Sequence, residues 1–210
     1  VSEDVFGGRR PTSHERMTGR PWDASYHDGP APWDVGPQPA IVRVADGGGL
    51  TGTVLDAGCG SGENALYIAS LGLPVLGFDV AETALAQARA KAAERGLDAE
   101  FVTADALRLE RLGRRFDSVV DSGLFHTFDA EERPAYTASL ASVTEPGATV
   151  HVLCFSDQGP DTGPHPVSQE DLRSAFGTGW HVVAIEPERV HTRFHGENGA
   201  PAWLATIERR

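Results

Sequence analysis

Between Thr53 and Ala65 the sequence reads TVLDAGCGSGENA: an apolar run stops at an acid, passes through Gly58, Gly60 and Gly62 on alternate positions, and opens into a helical pattern. Val54 and Leu55 read as a buried strand. The glycines let the backbone turn sharply and approach a ligand, and Glu63 begins a helix. A glycine-rich turn also occurs in ordinary strand-to-helix connections, so the residues after Gly62 have to decide between a binding turn and a plain loop.

They continue the same alternation. Ala65, Leu66, Ile68, Ala69 and Leu71 have helical spacing and Gly72 stops them, which predicts a helix over 63–71. Pro74 to Asp79 is short, apolar and ends in an acid; an alanine-rich helix then runs through Ala84, Leu85, Ala88 and Ala92 to Arg95-Gly96. A third strand is expected over 99–105, a fourth over 116–121, a helix over 133–143 stopped by Pro146-Gly147, and a fifth strand over 149–155. Ser168, with Asp171 three residues on, predicts the cap of a last helix. Two more strands are expected over 180–185 and 202–208, with 194–201 as the turn between them. Strands alternating with helices make parallel crossover units and an α/β sheet.

The N-terminal quarter reads differently. Residues 1–18 show no periodicity and are expected to be a mobile N-terminal extension unless they fold over a ligand. Met17 is the only methionine, and the residues ahead of it read as an upstream extension. From Trp22-Asp23 to Trp33-Asp34 and Pro39, two tryptophans and Tyr26 sit among prolines, a segment ordered by aromatic packing without regular structure. Large rings outside any periodic element either cover a pocket or pin an arm to the core. A short helix over 40–50, closed by Gly47-Gly48-Gly49, follows. The organisation expected is residues 19–210 as one domain, with 19–50 as a cap over the site.

Composition narrows the ligand. A chain of 210 residues suffices for one α/β core. No apolar run approaches the roughly 20 residues that cross a bilayer, which points away from a membrane. Two cysteines, Cys59 and Cys154, suggest no disulfide framework and favour a reducing, cytoplasmic setting. A net charge of -12 would repel a phosphate backbone, so a small molecule is expected rather than nucleic acid.

In an open parallel sheet ligands bind beyond the carboxyl ends of the strands, where the strand order reverses. Asp56, Asp79, Asp105 and Asp121-Ser122-Gly123 close four successive strands there. One such acid is an ordinary cap or turn former; four in succession predict a shared site. A nicotinamide dinucleotide asks for G-x-G-x-x-G, whereas the glycines here run G-x-G-x-G and are followed by Glu63, whose charge would repel a pyrophosphate. A phosphate-free, cationic nucleoside suits an acidic rim.

Leu55 to Gly62, Gly77-Phe78-Asp79, Ala104-Asp105 and Phe116-Asp117, in that order and spacing, resemble the class I S-adenosylmethionine-dependent methyltransferases. Trp22-Asp23 and Pro32-Trp33-Asp34 further resemble the thiopurine and halide methyltransferase branch. Asp121-Ser-Gly-Leu-Phe-His126 and Leu153 to Asp157 look like actinobacterial members of that branch that methylate heterocyclic toxins and natural products. The resemblance implies a Rossmann-like three-layer sandwich whose seven-stranded sheet is mostly parallel with the last strand antiparallel, plus an N-terminal arm. It implies S-adenosylmethionine as cofactor, S-adenosylhomocysteine as product, and a small aromatic or heterocyclic acceptor methylated on O, S or N. Asp79 would take the ribose hydroxyls, Gly58 and Gly60 would pass beneath the methionine portion, Val80 would pack on adenine and Asp105 with Ala106 would meet its edge. The backbone near Asp121 and Ser122 would receive the amino group. Asp56, Cys59, Gly62 and Trp33 complete the expected cofactor set.

Methyl transfer is an in-line displacement, accelerated mainly by holding the acceptor near the methyl carbon. His126, after the fourth strand, is the candidate base where an acceptor must lose a proton, with a packing histidine as the other reading. Trp22, Trp33, Phe125, His126 and Phe155 are expected to wall the acceptor, along with Phe128. No metal is expected: His191 and His195 lie four apart but in a loop. A thiol or halide methyltransferase, a non-catalytic cofactor sensor and, more remotely, a dehydrogenase remain the alternatives.

Overall fold

In a computed structural model describing residues 3–159 and 164–210, seven strands build one sheet. They are β1 (Val54–Ala57), β2 (Val75–Asp79), β3 (Glu100–Thr103), β4 (Phe116–Ser122), β5 (Thr144–Phe155), β6 (Trp180–Val190) and β7 (Ala200–Arg209). Their order is β3-β2-β1-β4-β5-β7-β6. The first five pair in parallel, and β7 runs antiparallel to both β5 and β6. The chain steps from β1 outward to β3 and then returns to β4 on the other flank. The strand order therefore reverses between β1 and β4, and a crevice opens there.

Six helices are described: α1 (Ser13–Thr18), α2 (Pro39–Asp46), α3 (Glu63–Ser70), α4 (Glu82–Arg95), α5 (Glu132–Ser142) and α6 (Gln169–Ala175). Two apolar layers flank the sheet. Leu55, Val119 and Val150 face a core shared with Tyr136, Leu140 and Leu172 of α5 and α6. Val54, Val120 and Leu153 face a core shared with Ile41, Leu66, Leu85 and Ala88 of α2, α3 and α4. Burial on both faces explains why β1 and β4 read as continuous apolar runs rather than alternating ones.

The structure departs from the sequence reading in six places. Residues before Thr18 are not without regular structure: Glu3–Phe6 form a 3-10 turn and Ser13–Thr18 a helix whose N-terminus carries the Thr12/Glu15 capping box. Val1 and Ser2 of that stretch lie outside the described residues. Trp22–Tyr26 is also a 3-10 turn. α2 ends at Asp46, before the three glycines, and β5 starts at Thr144 and bulges against β4. Consecutive 3-10 turns over Ala106–Leu112 connect β3 to β4. Finally, β6 runs on through Pro187 to Val190, because it pairs only with β7 and an edge strand tolerates a residue with no N–H.

Candidate functional site

The turn after β1 is built around one carboxylate. Asp79, at the end of β2, accepts the Gly60 N–H through Oδ2 and the Ala81 N–H through Oδ1, both at 2.9 Å. This ties the glycine turn to the start of α4 and leaves the outer lone pairs of the carboxylate facing a cavity of about 300 Å³. Burial raises the Asp79 carboxyl above its ordinary value, and the backbone N–H donors partly offset that rise. Gly60 sits at φ +52, where a Cβ would lie 2.7 Å from the Tyr26 hydroxyl. The turn thus has to be glycine both for its conformation and for the approach of the N-terminal segment.

Gly58, Cys59, Gly60, Asp79, Val80, Asp105, Ala106 and Ser122 all line this cavity, as do Trp22, Trp33, His126 and Phe155. The sequence-predicted residues from four strand ends and the aromatic segment are therefore brought together. Asp105 also caps the turn after β3 by accepting the Leu107 N–H at 3.0 Å.

Four expected site residues are elsewhere. Asp56 is buried under the turn and accepts the Ala65 N–H at 3.0 Å, holding the first turn of α3; its carboxyl is pushed up to about 7 by burial. Gly62 makes room for helix packing, since a Cβ there would lie 2.8 Å from Ala88 Cβ. Asp121 turns inward, accepting the Leu124 and Phe125 N–H groups and the Tyr136 hydroxyl, so only the following Ser122-Gly123-Leu124 backbone reaches the cavity. Phe125 is fully buried and stacks on Phe176 at 5.9 Å, inside the core rather than on the acceptor wall. Asp56 and Asp121 share one rule: side chains along a strand alternate in direction, and these two point beneath the turns and hold them.

Glu63 also requires correction. Its carboxylate does line the cavity, but Lys91 Nζ lies 2.8 Å away and Arg95 bonds it at 3.0 and 3.1 Å. Those partners hold its carboxyl below the usual value against the opposing effect of burial. A paired charge of this kind exerts little repulsion on a pyrophosphate, so Glu63 does not discriminate between ligands as the sequence suggested.

The far end of the cavity is formed by chain segments that sequence reasoning left out. Arg9, Thr12 and His14 come from the N-terminal stretch, and His191, Thr192, Phe194 and His195 from the loop after β6. His14 stacks on Trp22 at 4.1 Å, Trp22 meets Trp33 edge-on at 5.7 Å, and the Trp33 indole N–H donates to the Tyr26 hydroxyl at 2.8 Å. The fully buried Glu15 carboxylate anchors this arm, taking Arg9 and the Thr12 N–H. Gln38 fixes the β6–β7 loop by accepting the His191 N–H and donating to the His191 carbonyl, at 2.9 and 2.8 Å. The Gln38–His191 pair has no signal in local sequence, because it joins residues 153 positions apart.

His126 is held firmly. Its Nδ1 accepts the Phe155 N–H at 3.0 Å, its ring stacks on Phe155 at 4.3 Å, and only 6% of the residue is exposed. Burial pushes its pKa down to about 3, so the ring is neutral in the physiological range. Burial also pushes the thiols of Cys59 and Cys154 well up, leaving both as inert packing groups. Among the described residues no group of three or more His, Cys, Asp or Glu side chains is placed to hold a metal ion.

A methyltransferase domain family matches residues 54–147, the span from β1 into β5. The chain is 38% identical over 199 residues to a 2-heptyl-1-hydroxyquinolin-4(1H)-one methyltransferase of Mycobacteroides abscessus, covering 92% of this chain and 82% of that protein. Among solved structures it resembles one reported for the conversion of a disulfide bond into a thioacetal group during echinomycin biosynthesis. That match has a TM-score of 0.78 and 37% identity, over 86% of this chain and 84% of the other. A magnesium protoporphyrin IX methyltransferase from Synechocystis PCC 6803, solved with S-adenosylmethionine bound, aligns with a TM-score of 0.63 and 26% identity, over 81% and 76% of the two chains.

Proposed function

The chain belongs to the class I S-adenosylmethionine-dependent methyltransferases, and from that premise we propose that it methylates an oxygen, sulfur or nitrogen atom of a planar aromatic or heterocyclic small molecule, in detoxification or natural-product tailoring. It is a small-molecule methyltransferase that uses S-adenosylmethionine. One observation carries the acceptor class: the cavity that begins at the glycine turn and Asp79 continues without interruption into a chamber walled by Trp22, Phe128, Phe155, His14 and His126. Flat rings pack against such walls, and a few polar nitrogens fix their orientation.

The residues present fit the cofactor. The Asp79 carboxylate has lone pairs left for two ribose hydroxyls, Gly58 and Gly60 keep a floor that side chains would fill, and Val80, Asp105 and Ala106 sit where a base would lie. Ser122 and Trp33 border the position expected for the methionine portion. When bound, S-adenosylmethionine supplies a methyl carbon activated by a sulfonium, so the chain has to bind, align and exclude water. Residues 19–50 serve as a cap for this purpose, and the N-terminal stretch with α1 extends it over the acceptor. The net charge of -12 argues against a nucleic acid acceptor. No described helix is long and apolar enough to cross a membrane; two unpaired cysteines suit a reducing cytoplasm.

Incubation with methyl-labelled cofactor and a panel of phenols, thiols, N-heterocycles and halides tests the proposal. Transfer to ring-bearing acceptors is expected. Transfer to halide alone would move the chain to the halide branch, and tight cofactor binding with transfer to none would make it a sensor.

A further inference from the structure

The hydrogen bond at His126 Nδ1 decides what the other ring nitrogen can do. A backbone N–H can only donate, so the Phe155 N–H at 3.0 Å requires a bare Nδ1, and a neutral ring then carries its proton on Nε2. Phe155 lies two residues beyond the last β4–β5 pair, Ser122 with Leu153, where β4 has ended and offers no carbonyl. His126 thus stands in for a missing sheet acceptor. Protonating Nδ1 would set two N–H groups against each other in a buried site.

His126 Nε2 has no partner among the described residues, and the ring lines the acceptor end of the cavity. Nε2 already bears a proton, so it cannot take one from an acceptor. The groups facing the ring are Arg133 from α5, His14 from α1 and His165, with His195 beyond Phe155; none is an anion that would hold an imidazolium there. The carboxylates that line the cavity have their own partners at the cofactor end: Asp79 with Gly60 and Ala81, Glu63 with Lys91 and Arg95, Asp34 with Lys91 at 3.7 Å, and Asp105 with Leu107.

We infer that His126 is a hydrogen-bond donor to the acceptor rather than its base, and that the site selects planar heteroaromatics whose nucleophilic O–H or S–H is acidic enough to be lost to water before binding. This rests on the methyltransferase reading above and names the acceptor class within it. The acceptor enters as an anion; its lone pair forms the new bond to the methyl carbon, the carbon–sulfonium bond breaks with its electron pair staying on sulfur, and no proton is released inside the cavity. Nε2–H holds the anion, or a ring atom conjugated with it, in a fixed direction.

Histidine-labelled protein with S-adenosylhomocysteine, followed by nitrogen-15 NMR, reads the tautomer without turnover. The expected result is one histidine with protonated Nε2 and bare Nδ1 that does not titrate between about pH 5 and 8. A His126 resonance that titrates there, or that carries its proton on Nδ1, overturns the inference. In kinetics, the pH inflection of kcat/KM should move with the acidity of the acceptor across a series of heteroaromatic thiols and phenols. An inflection fixed across the series would mean that a group on the enzyme takes the proton. His126→Phe should lower kcat/KM roughly 10- to 150-fold with S-adenosylhomocysteine affinity unchanged by calorimetry, and His126→Gln, which keeps a donor, should recover part of the loss. Full turnover in His126→Phe would also overturn it. Failure of every acceptor with the wild-type chain would instead count against the methyltransferase reading, while the NMR result would still judge the tautomer.

Discussion

The two ends of the cavity are built in opposite ways. The end proposed for the cofactor comes from consecutive strand ends within residues 54–106 and is organised by backbone N–H groups converging on Asp79. The end proposed for the acceptor is assembled from an arm near residue 14, a turn at residue 126 and a loop near residue 195, held together by side chains. A site made by local turn geometry forms whenever the sheet forms. One made by long-range side-chain contacts can open, or be altered, while the sheet stays intact.

Replacing Asp79 gives the largest expected effect and strikes the cofactor end alone. Asp79→Ala removes two charge-assisted bonds within the turn and those offered to the ribose, each contributing about 1.5–3 kcal/mol. Calorimetry should show S-adenosylhomocysteine bound at least ~100-fold more weakly. Unchanged affinity would remove Asp79 from the cofactor site and collapse the contrast between the two ends.

Gly60→Ala comes next, because the turn couples to the arm at this one point. At φ +52 a Cβ costs roughly 1–2 kcal/mol, and its 2.7 Å approach to the Tyr26 hydroxyl pushes the aromatic segment outward. A drop of several degrees in Tm with weakened cofactor binding is expected. A drop in Tm with binding intact would show that the arm, not the turn, absorbs the change.

That same contrast governs what the sequence made legible. The strand–turn–helix alternation, the strand-end acids and the glycine spacing are local patterns, and they located the seven strands and the strand-end residues that line the cavity. Asp56 lies beneath the turn, which was not legible because sequence marks a strand end without saying which way the side chain points, and Phe125, in the 3-10 turn after β4, packs into the core. Glu63 was misjudged because Lys91 and Arg95 lie a full helix away. The acceptor end was legible only in part: Trp22, Trp33, His126 and Phe155 line the cavity as expected, but Gln38 with His191, and Ser13 with His165 at 2.9 Å, are contacts that no periodicity announces.

Glu15→Ala should divide the molecule along this line. Its buried carboxylate holds Arg9, the Thr12 N–H and the Trp22 N–H. Removing one partner of a buried pair costs up to about 3–5 kcal/mol, and a short arm can give way locally where a core helix cannot. Hydrogen exchange should speed up over residues 12–18 but not in β1 or β4. Acceptor KM should rise several-fold with cofactor affinity nearly unchanged. Equal losses at both ends would mean that the arm is part of the cooperative core.

The smallest effect lies in how stability varies with pH, where buried groups beneath the two ends pull in opposite directions. Burial raises the carboxyls of Asp56 to about 7 and Asp121 to about 6, from an ordinary 3.8. The folded chain therefore binds protons at these positions that the unfolded chain has lost, and their contribution, complete below about 3.8, declines as pH rises through 6 and 7. His126 has the opposite sign: at about 3 against an ordinary 6.5, the unfolded chain binds the proton first, and stability is lost as pH falls from 6.5 toward 3. Asp121→Asn keeps an oxygen for the Leu124 and Phe125 N–H groups and offers an amide to the Tyr136 oxygen, so it removes the charge while leaving the contacts satisfied. Its Tm should fall less than that of the wild type between pH 5 and 8, by a few degrees. The acid-side loss driven by His126 should be unchanged in the same variant. A flattening of both limbs would show that Asp121 and His126 titrate as one unit, and the two ends would then share a network that their hydrogen bonds do not display.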